Sequence, residues 1–327
     1  MIKDMYKPFS EANTGDTLSR PVLVSNIEEG TSRTGSSFVR ISLKDGFSEI
    51  TAMLFDSSSS VLESKGIVKD CVADVSLYVS DYQGAKSFKV NDIKPTTRTE
   101  LSINDFIKMP PVDIDLMYNE ICDLLRSSRN DYSGKYTPLA DLALQILEEN
   151  KNSYMTSSAA VSMHHNLRGG LLYHSYRMVK SADALCSVYS SLDRELLLCG
   201  TALHDIGKIW EYKTSPTGDA EFTASGVLFG HLYMGASLIK GKTTDGNYNM
   251  EKVQLLIHMI LSHHGTQEWG AVACPSIPEA FALHYIDNID AKIYMCEDFY
   301  ENMESGSLTE KRPFGLDNRI YKPNFEK

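Results

Sequence analysis

Hydrophobic and polar residues alternate along much of the first hundred residues. In FVRISLK, Val39, Ile41 and Leu43 are separated by polar residues, and the Asp-Gly pair that follows is typical of a hairpin turn. This period of two predicts strands, because successive side chains of a strand point to opposite faces. The same alternation predicts further strands in PVLVSNI, in SEITAMLF and on both sides of Gln83-Gly84.

Five short strands within about 80 residues are typical of a small closed barrel. The OB-fold is the commonest such barrel, and a five-stranded SH3-like barrel is the alternative that the pattern leaves open. A short helix is expected near residues 57–65. Lys94–Arg98, which contains a proline and two threonines, resembles a linker.

The hydrophobic period changes to 3.6 residues after this segment. One helical stripe begins at Ile114 and ends at Leu125, and another runs from Leu139 to Leu147. From there to about residue 302 we predict helices alone, interrupted by loops at 169–170, 214–219, 243–249 and 275–278.

The predicted architecture therefore has two domains. An all-β OB-like barrel occupies residues 1–98, and an all-α helical bundle occupies residues 99–302. The last residues, 303–327, are expected to form an irregular tail packed on the bundle.

The amino-acid composition shows that the chain is acidic. Its 327 residues carry 32 Lys and Arg against 43 Asp and Glu, for a formal net charge of −11. Residues 1–100 contribute 12 basic and 14 acidic side chains, and residues 101–327 contribute 20 and 29. This charge argues against a protein that coats nucleic acid non-specifically. Bound divalent cations would offset part of the acidic excess in the helical region.

The six cysteines are scattered and form no Cys-x-x-Cys pair. This pattern favours a reducing cytoplasm and argues against zinc–thiolate chemistry. The polar first sixteen residues lack the apolar core of a signal peptide. No apolar run approaches the ~20 residues that a membrane-spanning helix needs. We therefore expect a cytoplasmic protein without a membrane partner.

The nine histidines are distributed unevenly, and none precedes residue 164. Those with a neighbouring histidine, acid or turn recur at intervals long enough for one helix and one connection. Successive helices of a bundle could therefore each present one ligand group to a shared centre. The candidate metal ligands are His174, His204, Asp205, His231, His263, His264 and Asp287.

Imidazole and carboxylate groups together suit Mn, Fe, Co or Zn, without the thiolates that structural zinc sites prefer. Asp290 lies one helical turn after Asp287 and is expected to support a ligand rather than to bind the ion. His258 and His284 have no such neighbours and are expected to be structural.

The ordered motifs resemble both a broad class of metal-dependent domains and a narrower protein family. The series His174, His204-Asp205 and Asp287 matches the H…HD…D pattern of the HD-domain metal-dependent phosphohydrolases. The additional His231 and the His263-His264 pair match the members that hold two metals. With the barrel, the motifs GGLLYHS, HDIGK, LSHHGTQEWG, LHYIDNIDAK and FGLDNRIYKP resemble the YhaM-type 3′-to-5′ exoribonucleases along nearly the whole chain.

The resemblance implies two divalent metal ions, with Mn²⁺ as the first expectation and Co²⁺, Fe²⁺ and Zn²⁺ as alternatives. The implied ligands of the first metal are His174, His204, Asp205 and Asp287. Asp205 would bridge to a second metal, for which the implied ligands are His231, His263 and His264.

The resemblance also implies what these residues act on. Asp205 and Lys208 would be catalytic, with Lys208 in contact with the substrate phosphate. Single-stranded RNA would be cut from its 3′ end into nucleoside 5′-monophosphates. Single-stranded DNA as a second substrate and a homo-oligomeric state are left open.

Side chains near these motifs are candidates for substrate binding. We expect His164-His165 and Arg168 to bind the phosphate or sugar of a nucleotide, with a local role at a helix end as the alternative. Trp210, Tyr212 and Trp269 could stack on a base, but core packing is the favoured expectation for them.

Two further expectations concern the backbone and the barrel. Gly207 is expected to end the helix that carries His204-Asp205 by adopting the left-handed conformation. The barrel contains an aromatic and basic mixture that suits single-stranded nucleic acid, although barrel exteriors often have such side chains. This mixture comprises Phe38, Arg40, Tyr78, Tyr82, Lys86, Phe88 and Lys89.

Two other functions compete with the exoribonuclease. The first is a nucleotide or cyclic-nucleotide phosphohydrolase of the same superfamily, which would have no need of a strand-binding barrel. The second is a single-stranded DNA- or RNA-binding protein that retains a dormant metal site. The complete ligand set argues against this second alternative.

Overall fold

The first unit of the chain is a closed barrel. The computed structural model describes residues 6–31, 35–129, 134–160, 167–244, 246–301 and 303–325. Within them, the barrel strands are β1 (Thr17–Thr31), β2 (Ser37–Lys44), β3 (Glu49–Phe55), β4 (Cys71–Tyr82) and β5 (Ala85–Pro95). They close in the order β1-β2-β3-β5-β4, with β1 antiparallel to β4 and β3 parallel to β5. This order confirms an OB-like barrel, and the SH3-like alternative is wrong.

Alternation along the strands builds the barrel core. In β2, Val39, Ile41 and Leu43 are fully buried, whereas Arg40 between them is exposed. Strands β4 and β5 are joined by Gln83-Gly84, whose φ angles of 55° and 81° suit a two-residue hairpin turn. Strand β3 is followed by the predicted short helix, α1 (Ser59–Ser64).

The first compact unit extends to Met109, beyond Arg98, where the sequence pattern places the domain boundary. Phe106 and Ile107 are buried against Leu23 of β1. These apolar contacts explain why the chain stays associated with the barrel after its last strand.

The second unit comprises residues 110–214 and 218–327 and is mainly helical. Its described helices are α2 (Ile114–Ser127), α3 (Leu139–Glu149), α4 (Lys151–Thr156), α5 (Gly170–Val188), α6 (Arg194–Leu203), α7 (Lys208–Glu211), α8 (Ala224–Lys242), α9 (Met250–Ser262) and α10 (Pro278–Glu301). Helix α2 buries Met117, Ile121 and Leu125, and α3 buries Leu142 and Ile146. Both predicted stripes therefore face the core, which buried residues of the other helices complete.

A small hairpin interrupts the helices. Strand β6 (Tyr212–Thr214) pairs antiparallel with β7 (Ala220–Phe222), so the prediction of helices alone is wrong in this segment. Strands of three residues are too short to show a period of two in the sequence.

The tail has one described strand-like contact. Leu308 and Tyr321 form an isolated antiparallel bridge, and Ile320 beside it is buried. Among the helices that the structure describes, none is both long enough and apolar enough to cross a bilayer.

Candidate metal centre

His204 and Asp205 directly follow α6, a helix that is buried over nearly its whole length. Every residue from Glu195 to Leu203 is buried. The helix therefore delivers the two side chains at its carboxyl end into the interior, where His204 is fully buried and Asp205 is 2% exposed. The carboxyl end of a helix carries partial negative charge, which favours a cation nearby.

The backbone conformation of Gly207 differs from the one that the sequence predicts. Its backbone is right-handed, with φ −61° and ψ −22°, so the predicted left-handed conformation is wrong. A Cβ at this position would lie 2.1 Å from the carbonyl oxygen of His231. Glycine is required because two backbone segments that carry candidate ligands approach each other here.

His231 enters the site from a break in α8. Gly230 has φ 70° and ψ 158°, values that interrupt the helix directly before the histidine. Glu211 accepts hydrogen bonds from the backbone N–H of His231 at 3.1 Å and from its Nδ1 at 2.9 Å. Glu211 thus orients the imidazole. Sequence analysis missed Glu211, for which the available signal was a carboxylate one helical turn after Lys208.

The remaining candidate ligands belong to α9 and α10. His263-His264 directly follow α9, and Asp287 and Asp290 lie one turn apart in α10. Oδ2 of Asp290 accepts from Nδ1 of His174 at 2.7 Å, while its Oδ1 lies 2.6 Å from Nε of Arg177. Asp287 instead approaches the other nitrogen, with 3.2 Å between its Oδ1 and Nε2 of His174. Asp290 therefore supports a candidate ligand, as the sequence predicts.

Asp205 lies between two groups of candidate ligands. Its Oδ2 is 3.2 Å from Nε2 of His204 and 4.0 Å from Nε2 of His174. Its Oδ1 is 3.5 Å from Nε2 of His231 and 3.7 Å from Nε2 of His263. Each of two groups could hold a metal ion, with ligand atoms within 4.8 Å of one another: His174, His204 and Asp205, and His231, His263 and His264.

The hydrogen bonds of the imidazoles direct Nε2 toward this centre. Four Nδ1 atoms face fixed acceptors, from His174 to Asp290, from His204 to the carbonyl of Thr201, from His231 to Glu211, and from His263 to the carbonyl of Ile260. Because carbonyl and carboxylate oxygens only accept, each Nδ1 carries a hydrogen. The Nε2 atom of each neutral ring then offers a lone pair to a metal ion.

Several of these ligand atoms lack another partner. Within the part of the chain that the structure describes, Nε2 of His204, Nε2 of His231, Oδ1 of Asp205 and Nδ1 of His264 are buried without a hydrogen-bond partner. An unsatisfied buried polar atom costs about 1–3 kcal/mol. The chemistry of this donor set and its unpaired atoms fit divalent metal ions.

The electrostatics of the cluster keeps most ligands in their metal-binding forms. Burial favours the neutral form of Asp205, but Lys208 and His204 more than offset it and hold the pKa of this carboxyl well below its usual range. Burial and the neighbouring imidazole of His263 lower the pKa of His264 to about 3. Burial also lowers the pKa of His263. At neutral pH, the site thus presents the ionised carboxylate of Asp205 and the neutral imidazoles of His263 and His264.

His174 differs from the other histidines of the site. Burial lowers its pKa, but the carboxylates of Asp287 and Asp290 outweigh burial and raise the pKa to about 9. The same ion pair holds the pKa of Asp287 below its usual range, against the effect of burial. A metal ion must therefore displace a proton from His174.

A cavity of about 210 Å³ opens beside the cluster. Its lining residues are Asp205, Lys208, His263, His264, Trp269, His284, Asp287, Asn288 and Ala291. Lys208 places Nζ 2.7 Å from Oδ2 of Asp205. Arg168 is half-buried and is not among the lining residues, and His164 and His165 lie outside the described residues.

The aromatic side chains near the ligands are less buried than the sequence suggests. Trp269 is 59% exposed and lines the cavity, whereas Trp210 is 39% exposed and is not in its lining. The predicted core packing is wrong for both tryptophans. His284, expected to be structural, donates from Nδ1 to the carbonyl of His263 at 2.8 Å and also lines the cavity.

Comparison with known families places this cluster within a recognised domain. Residues 171–292 match the HD domain, a range that includes every candidate metal ligand. HD domains bind divalent metals, so the match supports a metal-dependent phosphohydrolase domain in the helical unit.

Three of the solved structures that resemble parts of the chain are the following. A mitochondrial single-stranded DNA binding protein from S. cerevisiae is 16% identical. The match covers 25% of this chain and 95% of that protein's chain, with a TM-score of 0.22. The second OB-fold domain of replication protein A from Methanococcus maripaludis is 19% identical, with coverages of 28% and 96% and a TM-score of 0.23. The protein PriB from Ralstonia solanacearum is 16% identical, with coverages of 24% and 95% and a TM-score of 0.20.

Proposed function

We propose that this protein is a metal-dependent exoribonuclease that removes nucleoside 5′-monophosphates from the 3′ end of single-stranded RNA. The observation that carries the proposal is the position of Asp205. Its two carboxylate oxygens face two groups of imidazoles. These groups include the buried Nε2 atoms of His204 and His231, which have no hydrogen-bond partner among the described residues.

Each ligand has a defined part in this proposal. Two divalent ions, Mn²⁺ before Co²⁺, Fe²⁺ or Zn²⁺, would polarise the scissile phosphate and lower the pKa of water when bound. The residues assigned to the first ion are His174, His204, Asp205 and Asp287. Those assigned to the second are Asp205, His231, His263 and His264. Glu211 and Asp290 keep the hydrogen of their histidine partners on Nδ1.

Lys208 would act on the phosphate. Its ammonium lies against Asp205 and lines the cavity, and its side chain is largely buried. A cation in this position binds a non-bridging phosphate oxygen and offsets the negative charge that develops as the phosphodiester is cleaved.

The barrel supports a polymeric substrate through a row of outward side chains that we call the outer row. Arg40 is paired with Met53, Met53 with Lys89, and Lys89 with Tyr78, across four strands. Beside them, the rings of Phe38 and Phe55 lie 6.3 Å apart, with the Arg40 guanidinium over Phe38 and the Lys89 ammonium over Phe55. Cations and aromatic rings on one face suit phosphates and stacked bases of a single strand.

The sequence prediction for this surface needs one correction. Phe88 is 7% exposed and belongs to the barrel core, so it cannot stack on a base. Tyr82 and Lys86 are exposed, but they lie near the β4–β5 turn.

The choice of RNA and of the 3′ end rests on the resemblance to the YhaM-type exoribonucleases. The motifs HDIGK, LSHHGTQEWG and LHYIDNIDAK carry that resemblance, and they surround the cavity described above. Binding of single-stranded DNA is a second arm of the same proposal, because base stacking and phosphate contacts do not require a 2′-hydroxyl.

The direct test is to incubate the protein and Mn²⁺ with a 5′-labelled oligoribonucleotide. We expect a ladder of products shortened from the 3′ end, and none after exhaustive chelation or with Asp205→Asn. A matched DNA oligomer measures the preference between the two polymers. Full activity after chelation would overturn the metal mechanism. Hydrolysis of nucleotides with intact RNA would favour a small-molecule phosphohydrolase, and RNA binding without cleavage would favour a binding protein.

A further inference from the structure

Trp269 presents a large apolar ring to the cavity beside the candidate metal centre. The side chain is 59% exposed, although an indole normally buries much of its surface. It shares the cavity lining with Lys208 and the His263-His264 pair, so it lies in the same recess as the candidate phosphate-binding group.

A tight loop fixes the position of Trp269 relative to the ligands. Gly265 directly follows His264 and has φ 82°, and a Cβ there would lie 2.3 Å from Cε1 of His284. The backbone N–H of Trp269 donates to the carbonyl of Thr266 at 3.1 Å, and that of Gly270 donates to Gln267 at 3.0 Å. The loop therefore ties the indole to the end of the helix that provides two candidate ligands.

Two further residues of the cavity lining, His284 and Asn288, offer groups that suit a nucleoside. His284 is held by its bond to the carbonyl of His263, and its ring centroid lies 6.0 Å from that of Trp269 at an angle of 39°. Asn288, one turn later in α10, adds an amide that can both donate and accept hydrogen bonds. The lining of one cavity thus combines a cation and candidate metal ligands with aromatic rings and an amide.

We propose that Trp269 is a specificity-determining residue whose indole stacks on the base of the nucleotide at the reaction centre. The site would then require a base on that nucleotide and accept any of the four, because every base has a π-face. This inference deepens the proposed function and rests on it for the position of the phosphate.

The chain offers a clean optical test because Trp210 and Trp269 are its two tryptophans. In Trp210→Phe, the fluorescence of Trp269 is observed alone, and Trp210 is not in the cavity lining. We expect adenosine 5′-monophosphate to quench this fluorescence and ribose 5-phosphate to leave it unchanged. In Trp269→Phe, neither compound should change the fluorescence of Trp210. Equal quenching by both compounds, or none by adenosine 5′-monophosphate in Trp210→Phe, would overturn the inference.

Substitution of Trp269 gives the matching affinity test. Calorimetry should show that Trp269→Ala binds adenosine 5′-monophosphate about 5- to 150-fold more weakly than the unmodified protein, the range expected for one lost stack. Affinity for ribose 5-phosphate should stay the same, and Trp269→Phe should recover part of the loss. Unchanged affinity for the nucleotide in a folded Trp269→Ala would overturn the inference.

A third measurement separates this inference from the proposed function. The unmodified protein should remove a 3′-terminal abasic residue from RNA about 5- to 150-fold less efficiently than a normal nucleotide, and Trp269→Ala should not distinguish the two. If RNA is not cut but nucleotide binding depends on Trp269, the function fails and the inference stands. If RNA is cut and both termini are removed equally well, the inference fails and the function stands.

Discussion

At the residue scale, the candidate site depends on which nitrogen of each histidine carries the hydrogen. Carbonyl or carboxylate acceptors hold Nδ1 of His174, His204, His231 and His263. The Nε2 atoms of these rings are thereby directed toward one carboxylate, Asp205, before any ion is bound. Ligands that are already oriented lose less conformational entropy when the metal binds.

Asp205→Ala is expected to remove both ions, because the residue is the one assigned to both. Asp287→Ala is the matched comparison and should leave an ion at the group of His231, His263 and His264. Elemental analysis of the purified variants, with circular dichroism to verify folding, measures the difference. Two ions retained in folded Asp205→Ala would show that its carboxylate does not bridge.

Gly207→Ala is expected to destabilise the protein by about 1–3 kcal/mol, as overpacking of a tight contact does. The new Cβ would meet the carbonyl of His231 at 2.1 Å. Gly241→Ala is the control, because a Cβ there meets nothing within 4 Å and alanine favours the helix. Chemical denaturation measures both. Equal stability of the two variants would contradict the close approach.

The raised pKa of His174 predicts how metal binding depends on pH. Because the ion displaces a proton from this ring, affinity should increase with pH up to about 9 and then level off. Calorimetry in buffers of different ionisation enthalpy would count the released protons. An affinity that does not change between pH 6 and pH 9 would contradict the ion pair of His174 with Asp287 and Asp290.

The same pKa shifts predict the stability of the metal-free protein. The raised pKa of His174 contributes stability that is full below about pH 6.5 and is lost as pH increases through about 9. The lowered pKa of Asp205 contributes stability that is present above about pH 3.8 and is lost as pH falls further. Thermal unfolding of the chelated protein should therefore show a decline on both sides of the range between these values.

At the element scale, two helix ends and one helix break position three of the segments that carry candidate ligands. Helix α6 ends directly before His204, α9 ends directly before His263, and α8 breaks at Gly230, directly before His231. A helix interior would direct these side chains by its 3.6-residue period, whereas a helix end lets the backbone turn toward the centre. In the barrel, by contrast, regular pairing of β2, β3, β5 and β4 aligns the outer row.

Arg40→Ala combined with Lys89→Ala is expected to weaken binding of single-stranded RNA mainly at low salt. Each phosphate contact adds about 0.7 to the slope of log affinity against log salt for single strands, so the double variant should lower the slope by about 1.4. Lys69→Ala, in the turn before β4, is the control. Fluorescence anisotropy at several salt concentrations measures the slope. A slope equal to that of the unmodified protein would show that RNA does not contact the outer row.

At the scale of the whole molecule, the two units divide the proposed work. The barrel unit, which extends to Met109, offers binding surface, whereas every candidate metal ligand belongs to the helical unit. The acidic helical unit repels a polyanion at long range, and the barrel can offset this repulsion by contacts with bases and phosphates.

Removal of residues 1–109 should leave hydrolysis of a dinucleotide largely intact and raise the Michaelis constant for a long RNA. Each lost stacked base costs about 1–3 kcal/mol, so two would raise this constant by one to several orders of magnitude. The cut belongs after Met109 rather than after residue 98, because Phe106 and Ile107 would otherwise lose their contact with Leu23. Equal kinetics of a folded truncated protein on both substrates would assign the barrel another role.

The sequence by itself determined the elements and the ligand types. Period-two and 3.6-residue patterns were sufficient for the barrel strands and the helices α2 and α3, because burial selects the same face in every turn or pleat. Histidines at helix ends, with Asp205 among them, indicated a candidate metal centre, and the structure brings these residues together. These signals depend on residues that are close together in the sequence, so they can be recognised without the tertiary structure.

Only the tertiary structure decided which atoms meet. No local sequence pattern predicts the hydrogen bond of Glu211 with His231, the close approach of Gly207 to the His231 carbonyl, or the exposure of Trp269 at the cavity. Local signals also suggested a left-handed Gly207 and a buried Trp269, and both were wrong. These features arise where segments distant in sequence pack together, and the free energy of that packing, rather than local propensity, sets the conformation of each residue.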